Sequence, residues 1–412
     1  MLQPADLKPE ELGELAQVIP GRDPELRIRI PRIPVSEMDL QSRVIPVCEP
    51  TLGGNEAKYV LDCIESNWIS SAGKYIPRFE EAFAQAAGTR YCVACANGTV
   101  ALHLALATLG IGPGDEVILP TFTIISCAQA VIYNGGVVKL VDADPRTWCM
   151  DVSQVEAKIT PRTKAIMPVH IYGHPVDMDP VRELAHKYGL LTVEDAAEAH
   201  GAEYKGQRCG GLGDLNCFSF YANKIVTTGE GGMVLTNDLD QADRLRSVRN
   251  LCFQPQRRFF HQELGNNFRL TNLQAAIGLA QIERIEASIR HKRWMGAAYN
   301  EKLRDVPGLQ LPVEELWAKN VYWMYGVVLD ELTGMDSVTF AMKLAERGVQ
   351  TRPFFLGMHE QPVFHKMGLF IGENYPVSER ISRQGLYLPS GMTLTNEQVD
   401  FVSDSVREIL IH

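Results

Sequence analysis

No apolar run in this 412-residue chain approaches the ~20 residues that a membrane-spanning helix needs. The first residues, Met1 to Glu14, carry acids and lack the apolar stretch of a signal peptide, so the expected location is cytoplasmic, with no membrane partner. Positive charge is in deficit. Forty Lys and Arg stand against fifty Asp and Glu, and a net charge of −10 argues against a general nucleic-acid binder. It leaves an anionic small substrate open, because helix dipoles and a few cations can dominate a pocket. Metal-ligand patterns are sparse. Cys92-Val-Ala-Cys95 is a lone CxxC in an apolar strand, and His170 and His174 lack partner ligands on a recognisable element, so all four read as structural and no metal is expected. Nine cysteines, an odd number scattered through strand-like segments, suit reduced thiols. Repeats and low-complexity tracts are absent.

What the chain does have is an ordinary globular composition, with 45% hydrophobic and 22% charged residues. Its length implies two domains. Residues 1–43 read as a polar, proline-containing extension, residues 44–290 as a large domain and residues 291–412 as a small C-terminal one. Glu56 to Ser66 has helical spacing. From Tyr91 the pattern alternates. Strands are expected near Tyr91–Ala96, Glu116–Leu119, Val137–Val141, Ala165–Val169, Leu191–Glu194, Cys217–Phe220 and Gly232–Thr236. Helices are expected near Thr99–Leu109, Ile124–Tyr133, Val152–Ala157 and Met178–Tyr188. That alternation implies an α/β fold, with a mostly parallel sheet and helices on both faces. A long helix is expected from Asn272 toward Leu303. The smaller α+β part follows, with strands Tyr322–Leu329 and Gln350–Arg352 and helices Ser337–Glu346 and Asn396–Ile411.

The most telling residues are Lys224, in Phe218-Ser-Phe-Tyr-Ala-Asn-Lys224, and Asp195, in Val193-Glu-Asp195-Ala-Ala-Glu198. A lysine between an apolar strand and a glycine-rich loop is poorly placed for solvent. An apolar setting lowers an amine pKa, as Schiff-base chemistry needs. A carboxylate at the end of a buried strand can hold a pyridinium proton. Together they are the covalent anchor and electronic tuner that pyridoxal 5'-phosphate requires. Taken singly, each has a plainer reading: a surface lysine, and a helix cap followed by the first-turn acid Glu198. Asn97-Gly98-Thr99 sits between a strand and a helix, where backbone N–H groups can face a phosphate, though such a turn is often only a turn. Ser219 could add a hydroxyl to the same site. Gly265-Asn-Asn267-Phe-Arg-Leu-Thr-Asn272 offers further donors far off in sequence.

Five segments occur in order: Asn97-Gly-Thr-Val-Ala-Leu-His, Val193-Glu-Asp-Ala-Ala-Glu-Ala-His-Gly201, Phe218 to Lys224, Thr228-Gly-Glu-Gly-Gly-Met-Val-Leu-Thr-Asn237 and Asn267-Phe-Arg-Leu-Thr-Asn272. From about Val44 to the C-terminus the chain resembles the DegT/DnrJ/StrS family of PLP-dependent sugar aminotransferases, which have the type I aminotransferase fold. Trp68-Ile-Ser-Ser-Ala-Gly73, the Asp195–Glu198 pair and Tyr172-Gly-His-Pro175 look most like the branch that aminates GDP-4-keto-6-deoxymannose with glutamate, releasing 2-oxoglutarate. The resemblance implies a homodimer with shared sites. It makes Lys224 the Schiff-base lysine and proton shuttle and Asp195 the partner of the pyridine nitrogen. Glu198 would lie beside the ring, Gly98, Thr99 and Ser219 would hold the phosphate, and Asn267 would reach the neighbouring subunit's phosphate. Trp68, Ser70, Lys74, Tyr322 and His359 are positional candidates for the sugar and diphosphate.

Two departures stand out. Ile124 follows Pro120-Thr-Phe-Thr123 where the family usually has a ring-stacking aromatic, so an aliphatic side chain, rather than Phe122, is expected against the ring. Asn320 stands where a histidine is common ahead of Tyr322-Trp323. Alternatives are an aminotransferase for a UDP- or dTDP-linked sugar at C3 or C4, a 3-dehydratase (such enzymes carry histidine at the Lys224 position) and a PLP-binding regulator without turnover.

Overall fold

The computed structural model describes residues 44–411 except Pro255. The expected extension, residues 1–43, lies outside them. The described chain begins in an extended stretch and enters α1 (Glu56–Glu65) and α2 (Tyr75–Ala87). Helix α2 stops at Gly88, whose left-handed φ of 72° a glycine adopts without strain.

Short apolar runs then alternate with helices. In order come β1 (Tyr91–Cys95), α3 (Gly98–Thr108), β2 (Glu116–Pro120), α4 (Ser126–Tyr133), β3 (Val137–Val141), β4 (Thr163–Ile166), α5 (Met178–Tyr188) and β5 (Leu191–Asp195). A two-residue hairpin, β6 (Glu203–Tyr204) and β7 (Gln207–Arg208), precedes β8 (Leu215–Ser219), β9 (Gly232–Thr236) and α6 (Leu239–Arg249). The seven longer strands form one sheet in the order β1-β9-β8-β5-β4-β2-β3. Strand β9 runs antiparallel to both neighbours, and every other pairing is parallel. The sheet is as expected: strands such as β2 are buried along their whole length, which continuous apolar runs under covering helices require.

Two local expectations fail for readable reasons. Residues near 152–157 form two single 3-10 turns, Val152–Gln154 and Glu156–Lys158. Asp151 turns its carboxylate onto the Ser153 N–H and opens a tight turn instead of a helix. The long helix from Asn272 is two helices, α7 (Asn272–Ile282) and α8 (Ile285–Leu303). The break at Glu283–Arg284 is where side chains leave for α1: Glu283 accepts from Asn55 and Tyr59, and Arg284 lies 3.6 Å from Glu56.

The remaining elements are β10 (Leu309–Gln310), β11 (Ala318–Lys319), β12 (Tyr325–Leu329), α9 (Ser337–Glu346), β13 (Arg352–Pro353), α10 (Pro362–Lys366), α11 (Pro376–Gln384), β14 (Gly385–Leu388) and α12 (Asn396–Ile411). A four-stranded antiparallel sheet, β10-β12-β14-β13, packs with α8, α9 and α12 around a second apolar core that includes Tyr299, Tyr325, Phe340 and Val402. No break falls at 290/291. Helix α8 is continuous there, with Ile289 in the large core and Met295, Tyr299 and Leu303 in the small one. No helix among the described residues is long and apolar enough to cross a membrane.

Candidate active site

Four strands of the large sheet end at one place, as ligand sites in open α/β sheets do. Strand β1 delivers Asn97 and Gly98, β2 delivers Thr123 and Ile124, β5 ends on Asp195, and β8 ends on Ser219. Their side chains line a cavity of about 420 Å³ together with Thr99, Glu198 and Lys224.

Each functional group is held by a local device. Asn97 caps α3, its Oδ1 accepting the Val100 N–H at 3.0 Å. That leaves the Gly98 and Thr99 N–H groups, which no helical carbonyl can reach, at the cavity. Gly98 allows a close approach: a Cβ there would lie 2.7 Å from Ser219 Cβ. Thr99 Oγ1 and Ser126 Oγ are 2.8 Å apart. Asp195 Oδ1 accepts from the Ala197 N–H at 3.0 Å, and Oδ2 accepts from the Cys127 thiol at 3.1 Å. Burial, then the Asp195 charge, push that thiol well above its ordinary pKa, so it stays a donor. Residues 196–200 form turns rather than a helix, and Asp195 and Glu198 nonetheless face one cavity.

Glu198 and Lys224 form the charged centre. Their side chains are 8% and 9% exposed, with Glu198 Oε1 3.6 Å from Lys224 Nζ. Glu198 Oε2 accepts the Tyr172 N–H at 2.8 Å. Burial pushes Glu198 up to about 7, against the pull of Lys224. Burial also lowers Lys224, with Glu198 opposing. Tyr172 itself has φ 53°, and Gly173 after it has φ 103°; a Cβ on Gly173 would meet the Trp323 backbone nitrogen at 2.9 Å. This turn packs tightly on residues 321–323 beside the cavity.

The structure gathers Gly98, Thr99, Ile124, Asp195, Glu198, Ser219 and Lys224. Ile124, not Phe122, meets the cavity; Phe122 is fully buried among Tyr172, Phe354 and Phe355. Asn267 is exposed and bridges to Asn250, away from its own chain's cavity. Trp68 and Ser70 are also exposed and outside it, and Lys74 pairs with Asp62 at 2.8 Å. Two candidates are corrected. Tyr322 is buried in the small core against Gly296, so its ring does not face the cavity. His359 is buried, with Nδ1 2.8 Å from Thr121 Oγ1 and Nε2 3.2 Å from Glu379, and it serves as a brace. Asn320 is likewise buried and caps the Tyr322 N–H. The sequence reading missed Trp323, Arg352, Phe355 and Tyr387, which reach the cavity from the segments around β12, β13 and β14. Their only advance signal was an aromatic-rich run without periodicity.

His170 is fixed by Glu194, 2.8 Å from its Nε2, and by the Val176 N–H donating to its Nδ1. Glu194, His170 and Cys209 come close enough to suggest a metal. However, the Glu194 carboxylate already accepts from the Gly210 and Leu212 N–H groups, so the cluster acts as a structural clamp. All nine cysteines are free.

Residues 50–407 match the DegT/DnrJ/EryC1/StrS aminotransferase family. The chain belongs to that family. It is an aminotransferase, and the family works with pyridoxal 5'-phosphate. It is 45% identical over 368 residues to a GDP-perosamine synthase of Caulobacter vibrioides, covering 89% of this chain and 98% of that one. It is 42% identical to a GDP-perosamine synthase of Escherichia coli O157:H7, covering 89% and 98%. Among solved structures, S. venezuelae DesV in complex with a ketimine intermediate is similar, with TM-score 0.83, 34% identity and coverage of 90% and 100%.

The aminotransferase site fits that cofactor on its own geometry. A buried amine, a strand-end carboxylate and a free helix start converge, and Gly98 lets that helix start lie directly against Ser219.

Proposed function

We propose that this protein transfers the amino group of glutamate to C4 of a nucleotide-linked 4-keto-6-deoxy sugar, converting GDP-4-keto-6-deoxymannose to GDP-perosamine. The observation that carries the chemistry is the convergence of Lys224, Asp195 and Glu198 in one cavity. What supports the sugar is the similarity to two GDP-perosamine synthases along nearly their whole length.

Bound pyridoxal 5'-phosphate supplies an aldehyde that condenses with amines and a ring that withdraws charge. Lys224 offers the amine that anchors it. Once displaced, that amine would take the proton from glutamate Cα and deliver it to the cofactor's carbonyl carbon; burial, which lowers its pKa, makes it give up its own proton more readily, with Glu198 opposing. Asp195, held by Cys127 and Ala197, keeps a proton on the pyridine nitrogen. Gly98, Thr99 and Ser219 hold the phosphate at the α3 N-terminus. Ile124, which lines the cavity, would pack on the ring. Asn267 of the partner subunit would complete the phosphate site, which makes the working unit a homodimer. A cytoplasmic location agrees with these substrates.

The test is a substrate screen on purified protein with glutamate and GDP-, UDP- and dTDP-linked 4-keto-6-deoxy sugars, read by mass spectrometry. Amination of the GDP sugar is the expected result. Amination of only a UDP or dTDP sugar overturns the substrate and keeps the reaction. Bound cofactor without any amination overturns the enzyme and favours a regulator.

A further inference from the structure

We propose that Trp323 is a positioning residue for the catalytic amine: its indole face seats Lys224, and buried Lys292 locks the indole in place. Its role presupposes the transamination proposed above.

Lys224 Nζ lies 3.5 Å from the centroid of the Trp323 ring, closer than it lies to Glu198. A ring face attracts an ammonium through its quadrupole and accepts no proton from it. The same indole donates its Nε1–H to the Asn223 carbonyl at 2.8 Å, one residue before Lys224. Ring and lysine backbone are therefore held in one frame. The ring is stacked in turn on Tyr172, whose N–H holds Glu198. The three groups that control the amine proton share a single scaffold.

The backbone of Trp323 is fixed from the other side. Lys292 Nζ donates to the Trp323 carbonyl at 2.8 Å and also to the Ser390 carbonyl. Lys292 is 1% exposed, and its hydrogen-bond partners among the described residues are these two carbonyls. Burial pulls it down to about 8. A buried amine bonded only to carbonyls is a costly way to fill a core. It sits on α8 between Ile289 and Met295, where that helix passes from the large core to the small one. The seat of the catalytic amine, itself part of the large core, is thus tied to the helix that runs between the two cores.

A freed amine must stay near the reacting carbon without giving its proton to a neighbour. Glu198 alone would compete for that proton, because burial brings the acid close to neutral pKa. The indole holds the ammonium and leaves the proton on it.

The test uses Trp323→Leu, Trp323→Phe and Lys292→Met. In the cofactor-free protein, the pH dependence of Lys224 chemical labelling gives the amine pKa. Trp323→Leu is expected to lower it by about one unit. In the holoenzyme, Trp323→Leu is expected to slow the glutamate half-reaction ~10²-fold and to raise the isotope effect with α-deuterated glutamate. KM for glutamate should stay within about twofold. Trp323→Phe keeps a ring and should recover part of both effects, and Lys292→Met should show a weaker version. An unchanged labelling pKa in a folded Trp323→Leu overturns the proposal; if that variant does not fold, an unchanged pKa in Lys292→Met overturns it. If wild-type protein fails to react with glutamate, the transamination reading falls, while the labelling pKa still decides whether Trp323 seats the amine.

Discussion

Burial moves Lys224 and His174 in the same direction and puts them to different uses. In Lys224 it frees an amine for chemistry, held in check by Glu198. Replacing Lys224 by Ala should cut turnover by at least ~10³-fold and remove the visible absorption of bound cofactor, while the thermal midpoint changes little. A variant with ordinary turnover would refute the assignment. In His174 burial lowers the ring to about 4. Its neutral form is the one the fold uses: Nδ1 donates to the Pro175 carbonyl, and Nε2 accepts from the Glu315 N–H. Above pH 6.5 folded and unfolded chains are both neutral at this ring. As pH falls through 6.5, the unfolded chain binds a proton that the folded chain refuses until about 4. Stability should therefore drop across that window, by on the order of 3 kcal/mol from this residue. Urea unfolding from pH 7 to pH 4 checks it, and a His174→Gln variant with the same slope would contradict it. At this scale Lys224, Asp195, Gly98, Thr99 and Ser219 were legible because each sits at the end of a strand whose sequence is visible beside it. Trp323, Arg352, Phe355 and Tyr387 were not, because they come from distant C-terminal segments and no local pattern points to the cavity. Tyr322 was misjudged for the same reason: one residue of register separates the ring in the core from the ring under Lys224.

Helix α3 shows how an element makes a site. Its start must touch the end of β8 for the N–H groups to reach a phosphate, and glycine alone allows the contact. Gly98→Ala would set a Cβ 2.7 Å from Ser219 Cβ and 3.3 Å from its Cα. The variant should bind cofactor at least ~10-fold more weakly, with a fold loss of about 1–3 kcal/mol. Cofactor titration and thermal melting separate the two, and an unchanged affinity would contradict the account. The strand–helix alternation was readable because buried strands are short apolar runs. Helix α6 escaped notice because it is largely polar and buries only Ala242, Leu245 and Val248. The break between α7 and α8 escaped because it lies in the partners of Glu283 and Arg284, not in a glycine or proline.

At the scale of the whole molecule, an apolar strip stays exposed among the described residues. Leu61, Ile64, Trp68 and Ile69 are each at least half exposed on α1 and the turn after it, the kind of patch that marks an interface. With Asn267 turned away from its own cavity, it supports a dimer whose sites are completed by the partner. Light scattering should give twice the chain mass. Asn267→Ala alone should weaken cofactor binding. At limiting cofactor, mixed dimers of Asn267→Ala with Lys224→Ala should show more activity than either variant alone, because one of their two sites regains both groups. No recovery on mixing would place Asn267 outside the site.

The most direct measurement is a single-turnover titration of the holoenzyme. Glutamate without sugar should bleach the visible absorption of bound cofactor and release one 2-oxoglutarate per chain, and GDP-4-keto-6-deoxymannose should then restore it with formation of the 4-amino sugar. A protein whose absorption ignores glutamate, or that is bleached by glutamate but restored by no keto sugar, would contradict the account.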